Sequence, residues 1–76
     1  MPYINIKCYP KDEETKNTVV DKINDIFLEY WGCPAEAISI SLEEVNPSDW
    51  DNVIKNDIEP NDDKLFISSG EKRYKM

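Results

Sequence analysis

Polar and nonpolar positions alternate at the start of the chain. Ile4, Ile6 and Cys8 fall on one side of Tyr3, Asn5, Lys7 and Tyr9, a period of two that predicts a strand over residues 2–9. Pro10 stops it. Asp12 then suits an N-cap, and Glu13 and Glu14 place negative charge in the first turn of a helix. From there the period changes. Val19, Val20, Ile23, Ile26, Phe27, Tyr30 and Trp31 recur every three or four residues, which predicts one wide nonpolar stripe on a helix ending near Trp31. Gly32 suits the position just past a helix end, and Pro34 prevents continuation.

Alternation returns over residues 37–45, with Ile38, Ile40 and Leu42 set against Ser39, Ser41 and Glu43. Two strands joined by a long helix predict a β-α-β unit with parallel strands and a right-handed crossover. One sheet face, Ile4/Ile6/Cys8 with Ile38/Ile40/Leu42, would then pack on the helix stripe. The other, bearing Tyr3, Asn5, Ser39 and Ser41, is too polar for a core and is expected to meet another subunit or line a site. Asn46-Pro47 opens a second, shorter helix over residues 47–58, with Trp50, Val53, Ile54 and Ile58 as its nonpolar set. Residues 60–63 read as a loop and residues 65–67 as a short strand, followed by a polar, basic tail. The expectation is an α/β (α+β) fold: a single domain over residues 1–76, one β-α-β unit with a short second helix and a C-terminal tail, loosely assigned from about residue 61.

Seventy-six residues bury too little surface for comfortable stability alone, so self-association is expected. Cys8 and Cys33 form neither a CxxC pair nor part of a metal-ligand cluster, and are expected reduced and buried. No targeting segment or membrane-length nonpolar run is present, and a cytoplasmic location is expected. Sixteen acidic against nine basic residues leave a net charge of −7. That balance argues against nucleic acid and against anionic membrane surfaces as partners.

The candidate chemistry begins at Pro2. Aminopeptidases generally remove an initiator methionine that precedes a small residue. Loss of Met1 would leave a secondary amine at the head of a rigid strand. An α-amino group titrates near ~8 and burial disfavours its charged form, so such an amine can serve as a base near neutral pH. The chain has no histidine to take that role. The plainer alternative is that Pro2 merely starts an edge strand, where its missing N–H costs nothing.

Met1-Pro2, the alternating first strand with Lys7-Cys8-Tyr9-Pro10, the Ile38-Ser39-Ile40-Ser41-Leu42 strand and Pro47-Ser48-Asp49-Trp50 together resemble the 4-oxalocrotonate tautomerase family. The similarity is greatest to its longer, phenylpyruvate-type subgroup and covers about residues 1–60. The resemblance implies a cofactor-independent isomerase (a keto–enol tautomerase) with Pro2 as general acid/base and no metal. It implies that Lys11, where relatives carry an arginine, holds a substrate carboxylate, and that Trp50 walls water away from the proline. Trp50 read by itself is equally a core anchor for the short helix. The best-known members carry an arginine in the second strand where this chain has Ser39. A small 2-oxo monocarboxylic acid resembling phenylpyruvate is therefore expected rather than a dicarboxylate. Backbone N–H groups or the hydroxyls of Ser39 and Ser41 are expected to stabilise the developing enolate oxygen. A homodimer is favoured over the hexamer of shorter members. The alternative is a non-catalytic oligomeric binding module on the same fold.

Overall fold

The computed structural model describes residues 1–74, which form two compact units, the first over residues 1–46 and the second from residue 47 onward. In the first, strand β1 (Tyr3–Cys8) leads through a turn into helix α1 (Glu13–Ile26), and strand β2 (Ser39–Glu44) closes the unit. The strands pair in parallel with Tyr3 opposite Ser39, Asn5 opposite Ser41 and Cys8 opposite Glu44. This is the β-α-β arrangement that the two periods predict. The register sorts the faces as expected: Ile4/Ile40 and Ile6/Leu42 share one, Tyr3/Ser39 and Asn5/Ser41 the other. Grooves lined jointly by Ile6, Cys8 and Leu42 with Thr15, Lys16 and Val19, and by Leu42 with Lys16 and Val20, put α1 over the nonpolar face.

Both helix-end signals act as read. Asp12 is the N-cap: its carboxylate accepts from the Thr15 amide at 2.9 Å and from the Thr15 hydroxyl at 2.8 Å. At the other end α1 passes into a π-helical turn, Phe27–Trp31, which Gly32 terminates in the left-handed conformation (φ 74°). Pro34 then opens a 3-10 turn, Ala35–Ala37, that takes residue 37 out of the strand expected there. The predicted stripe is wider than its target. Val20, Ile23 and Phe27 are half-buried, but Val19, Ile26, Tyr30 and Trp31 are exposed. Two strands about 5 Å apart give a narrow floor, which covers only one side of a broad helical stripe.

The second unit opens with a 3-10 turn, Pro47–Asp49, leading into helix α2 (Trp50–Val53). The helical path continues through a π turn, Ile54–Ile58, and a 3-10 segment, Glu59–Lys64, where a loop is expected. Pro60 is tolerated there because it falls in the first turn, where an amide has no helical partner. Asn61 marks the kink (φ −108°) and its side-chain amide donates to the Asp57 carbonyl at 2.8 Å. Strands β3 (Ile67–Ser68) and β4 (Glu71–Lys72) form an antiparallel hairpin. Ser69 and Gly70 both have positive φ, 48° and 84°, as a two-residue type I′ turn requires. The tail thus carries a strand, and its last two residues lie outside the described part. Arg73, the single arginine, donates to the Asp62 carbonyl at 2.9 Å and to the Asp62 carboxylate at 3.1 Å, tying the hairpin to the preceding segment.

Burial is sparse. Among the described residues Val53, 7% exposed, is the one fully buried hydrophobic side chain. Cys8 and Cys33 are free thiols and half-buried rather than buried.

A small ion cluster pins the β1–α1 connection. The Glu44 carboxylate accepts from the Lys11 amide at 2.9 Å and from the Lys16 ammonium at 3.1 Å, and Lys16 also meets Glu13 at 3.4 Å. The Lys11 amide, then Lys16, hold Glu44 below the usual carboxylate range; Glu44 holds Lys16 above its usual value. Thr15 lowers Asp12 in the same way. Carboxylates with depressed values stabilise the fold fully above their unfolded values near ~4 and lose that contribution as pH falls through the folded ones. Lys16 has the opposite sign: its contribution is complete below ~10.4 and fades as pH rises through the raised value. Thermal midpoints are expected to fall at both extremes, and Glu44→Gln is expected to flatten both limbs. Unchanged limbs in that variant, measured by circular dichroism, would show that the cluster does not hold the turn.

Candidate active site

The end of the first unit where β1 and β2 begin brings together two predicted site residues, Pro2 and Ser39. Pro2 precedes β1, and its lack of an amide proton removes nothing from the ladder at that edge. Its carbonyl accepts from the Ser39 amide at 3.2 Å, which ties the proline to the start of β2. Ser39 is exposed on the polar sheet face, opposite Tyr3. Pro2 and Ser39, far apart in sequence, are therefore neighbours because the crossover makes the strands parallel and in step.

The polar face continues as a hydrogen-bonded line. The Ser41 hydroxyl donates to the Asn5 side-chain carbonyl at 2.7 Å, and the Tyr3 and Ser41 hydroxyls lie 2.9 Å apart. Ser41 has one proton, and Asn5 takes it, so the Tyr3 hydroxyl is the donor to Ser41. Ser41 is thereby occupied, and Ser39 is the serine placed beside Pro2. The alternation of β1 and β2 predicted the shared face but not this chain. Which hydroxyl meets which amide depends on register, and a single slip would move every one of these groups to the other face.

Lys11 sits at the opposite end. Six steps of extended chain at about 3.3 Å each separate Pro2 from Cys8, and the Lys11 amide is fastened to Glu44, the partner of Cys8. The Lys11 backbone is thus roughly 20 Å from Pro2 of the same chain, farther than a lysine side chain extends. Among the described residues it makes no ion pair, whereas Lys16 is held by Glu13 and Glu44. Lys11 also borders a nonpolar groove of about 220 Å³ with Ile6, Cys8, Val19 and Leu42.

Trp50 opens α2 in the second unit and is half-buried. Arg73 is committed to Asp62, so the chain's one guanidinium serves its own hairpin. The described residues contain no cluster of three or more groups able to hold a metal ion, and no helix long and apolar enough to cross a membrane.

Residues 2–51 match the family described as Tautomerase enzyme, a span that runs from Pro2 to the residue after Trp50. Tautomerase PptA of Shigella sonnei (strain Ss046) is 32% identical over 72 residues, covering 92% of this chain and 96% of that protein. Tautomerase PptA of Escherichia coli O127:H6 (strain E2348/69 / EPEC) has the same identity and coverage. The form in Escherichia coli (strain SMS-3-5 / SECEC) is 31% identical over the same length. The matched region contains the whole β-α-β unit, the paired Pro2 and Ser39 and the exposed Lys11. The chain belongs to the tautomerase family, and it is an isomerase of that type.

Proposed function

We propose that this chain, with Met1 removed, interconverts the enol and keto forms of a 2-oxo monocarboxylic acid resembling phenylpyruvate. The observation that carries the reading is the pairing of Pro2 with Ser39 at the open end of a parallel sheet, in a chain of tautomerase ancestry. The neutral proline nitrogen takes the proton of the enol hydroxyl. The O–H electron pair becomes the carbonyl π bond, and the displaced C=C pair takes a proton from the prolinium at carbon 3. Nothing is oxidised or reduced overall, and one group serves both transfers because its pKa lies near the working pH. Ser39 supplies a hydroxyl to the developing enolate oxygen. A lone serine in that place suits one carboxylate rather than two.

The carboxylate needs a cation, and in one chain Lys11 is out of reach of Pro2. The reading therefore includes at least two copies, with Lys11 of one serving Pro2 of another. Sparse burial supports this: with one fully buried hydrophobic side chain among the described residues, the chain gains stability by covering its exposed stripe. A dimer is the smallest assembly that meets both needs. Low water content together with the positive charge of Lys11 would keep the amine largely neutral.

Three outcomes are expected. Activity of the processed protein should rise with pH along a single titration below the ordinary ~8 of an α-amino group. A form that retains Met1, whose Pro2 nitrogen is an amide, should be inactive; equal turnover by that form would end the proline mechanism. Pro2→Ala, which keeps a primary amine, should lower kcat without abolishing it.

Lys11→Ala should raise KM for a 2-oxo acid by roughly 10- to 100-fold, the worth of a charged hydrogen bond of about 1–3 kcal/mol. Mixing Lys11→Ala with Pro2→Ala subunits, after unfolding and refolding together, should restore low-KM turnover above that of either alone. Absence of rescue in demonstrably mixed assemblies would place both residues' roles within one chain.

Light scattering at micromolar concentration should show at least a dimer. A stable, active monomer would remove the shared-site reading.

A further inference from the structure

The nonpolar sheet face of the first unit is not fully roofed by α1. Ile6 and Leu42 face each other across the ladder, Cys8 follows on the same side, and all three are only half-buried. Val19 on the helix above them is 43% exposed. These four side chains line a groove of about 220 Å³. A cavity of about 150 Å³ walled by aliphatic side chains holds a benzene ring. The groove therefore has room for a ring with a short chain attached, and Ile6, Val19 and Leu42 offer it the same kind of wall.

The rim supplies one uncommitted charge. Lys11, Thr15 and Lys16 also line the groove, and their polar ends differ in what they hold. The Thr15 hydroxyl donates to Asp12 at 2.8 Å. The Lys16 ammonium meets Glu44 at 3.1 Å and Glu13 at 3.4 Å. The Lys11 ammonium makes no ion pair among the described residues. Lys22, Lys55, Lys64 and Lys72 share that state, but none of them lines this groove. A lysine stem can lie along a nonpolar wall while its ammonium stays in water. A nonpolar floor with one uncommitted cation at its edge complements the opposite arrangement in a ligand: a nonpolar group joined by a short chain to one carboxylate. A neutral hydrophobe leaves the cation unused. A dicarboxylate would have to bury a second charge against Ile6 and Val19.

We propose that this groove is the subsite for the substrate's nonpolar substituent, and that it selects a 2-oxo acid with an aryl group on carbon 3. The inference rests on Lys11 as the holder of the carboxylate and adds the surface that chooses among monocarboxylates. It does not depend on which group moves the proton. Lys11 holds the acid end at the rim, the ring enters between Val19 and Cys8, and carbon 3 stays at the mouth, open to a base from another copy.

Calorimetric titration of the processed protein with 3-phenylpropanoate, an unreactive aryl monocarboxylate, tests the fit. Butanoate, which lacks the ring, and 3-phenylpropanamide, which lacks the charge, should each bind roughly tenfold more weakly. Val19→Phe fills the groove from an exposed position and should weaken 3-phenylpropanoate by roughly tenfold. It should lower kcat/KM for the enol of a 3-aryl-2-oxo acid by a similar factor. Lys11→Met keeps a nonpolar stem and should weaken the acid while leaving the amide unchanged. The unsubstituted protein reports the location: saturating 3-phenylpropanoate should slow alkylation of Cys8 by iodoacetamide, followed by mass spectrometry, and leave Cys33, outside the groove, unaffected. Unchanged labelling of Cys8, or unchanged affinity in Val19→Phe, would overturn the proposal. So would loss of the assembly in Val19→Phe by light scattering, which would make the groove a seat for a second copy of the chain. Failure of the Pro2 reading shows elsewhere, as activity in a Met1-retaining form, and leaves the titration and the thiol labelling still able to judge the groove.

Discussion

The parallel ladder between β1 and β2 is the constraint on which the rest of this small structure depends. Tyr3 opposite Ser39 and Cys8 opposite Glu44 define a register that a long crossover helix must close. Every consequence is local to one end or the other. At one end the ladder joins Pro2 to Ser39; at the other it sets Glu44 where it can take the Lys11 amide and the Lys16 ammonium together. A slip of one residue would exchange the nonpolar and polar faces and undo both ends at once. Parallel strands thus give a proline at one end of the unit and an exposed lysine at the other, which a protomer cannot bring together by itself.

A two-stranded sheet is also a narrow support. It shelters Val20, Ile23 and Phe27 and leaves Val19, Ile26, Tyr30 and Trp31 outside. The same thinness explains why burial is so limited among the described residues and why so much of what orders the first unit is polar: the Asp12–Thr15 cap, the Glu44 cluster and the Tyr3–Ser41–Asn5 line. Exposed pairs of this kind orient more than they stabilise. Association of copies, as proposed, would answer the deficit of buried area and the distance between Pro2 and Lys11 by one means. Small domains commonly gain stability this way.

The acidic balance has a particular distribution. Glu13 and Glu44 are spent on Lys16, and Asp62 on Arg73, so these charges are internal partners rather than a surface for ligands. Lys11 stands apart from them with no ion pair among the described residues. Lys22, Lys55, Lys64 and Lys72 likewise form no ion pair among the described residues, so the carboxylate role proposed for Lys11 rests on its place just past β1 rather than on its being unpaired.

Much was determined by the chain itself. The change of period from two to three-and-four and back again is enough for β-α-β, since a half-buried strand and an amphipathic helix each allow one spacing. Asp12 and Gly32 announce the ends of the long helix because cap chemistry is local to a turn. The family too was legible, in Met1-Pro2, Lys7-Cys8-Tyr9-Pro10 and Pro47-Ser48-Asp49-Trp50, and the matched span bears it out. Other features were not legible. Pro60 reads as a loop signal, yet the chain continues in a helical turn, because a proline in a first turn has no amide bond to lose. Lys11 follows Pro2 by nine residues, but a strand is stiff, so nearness in sequence became distance in space. Trp31 belonged to a stripe that spacing alone would bury, yet it is exposed, because two strands cover only one side of a broad helical stripe. Local patterns settle which element a residue joins, while relative lengths and register, which are properties of the assembled fold, decide what that residue can reach.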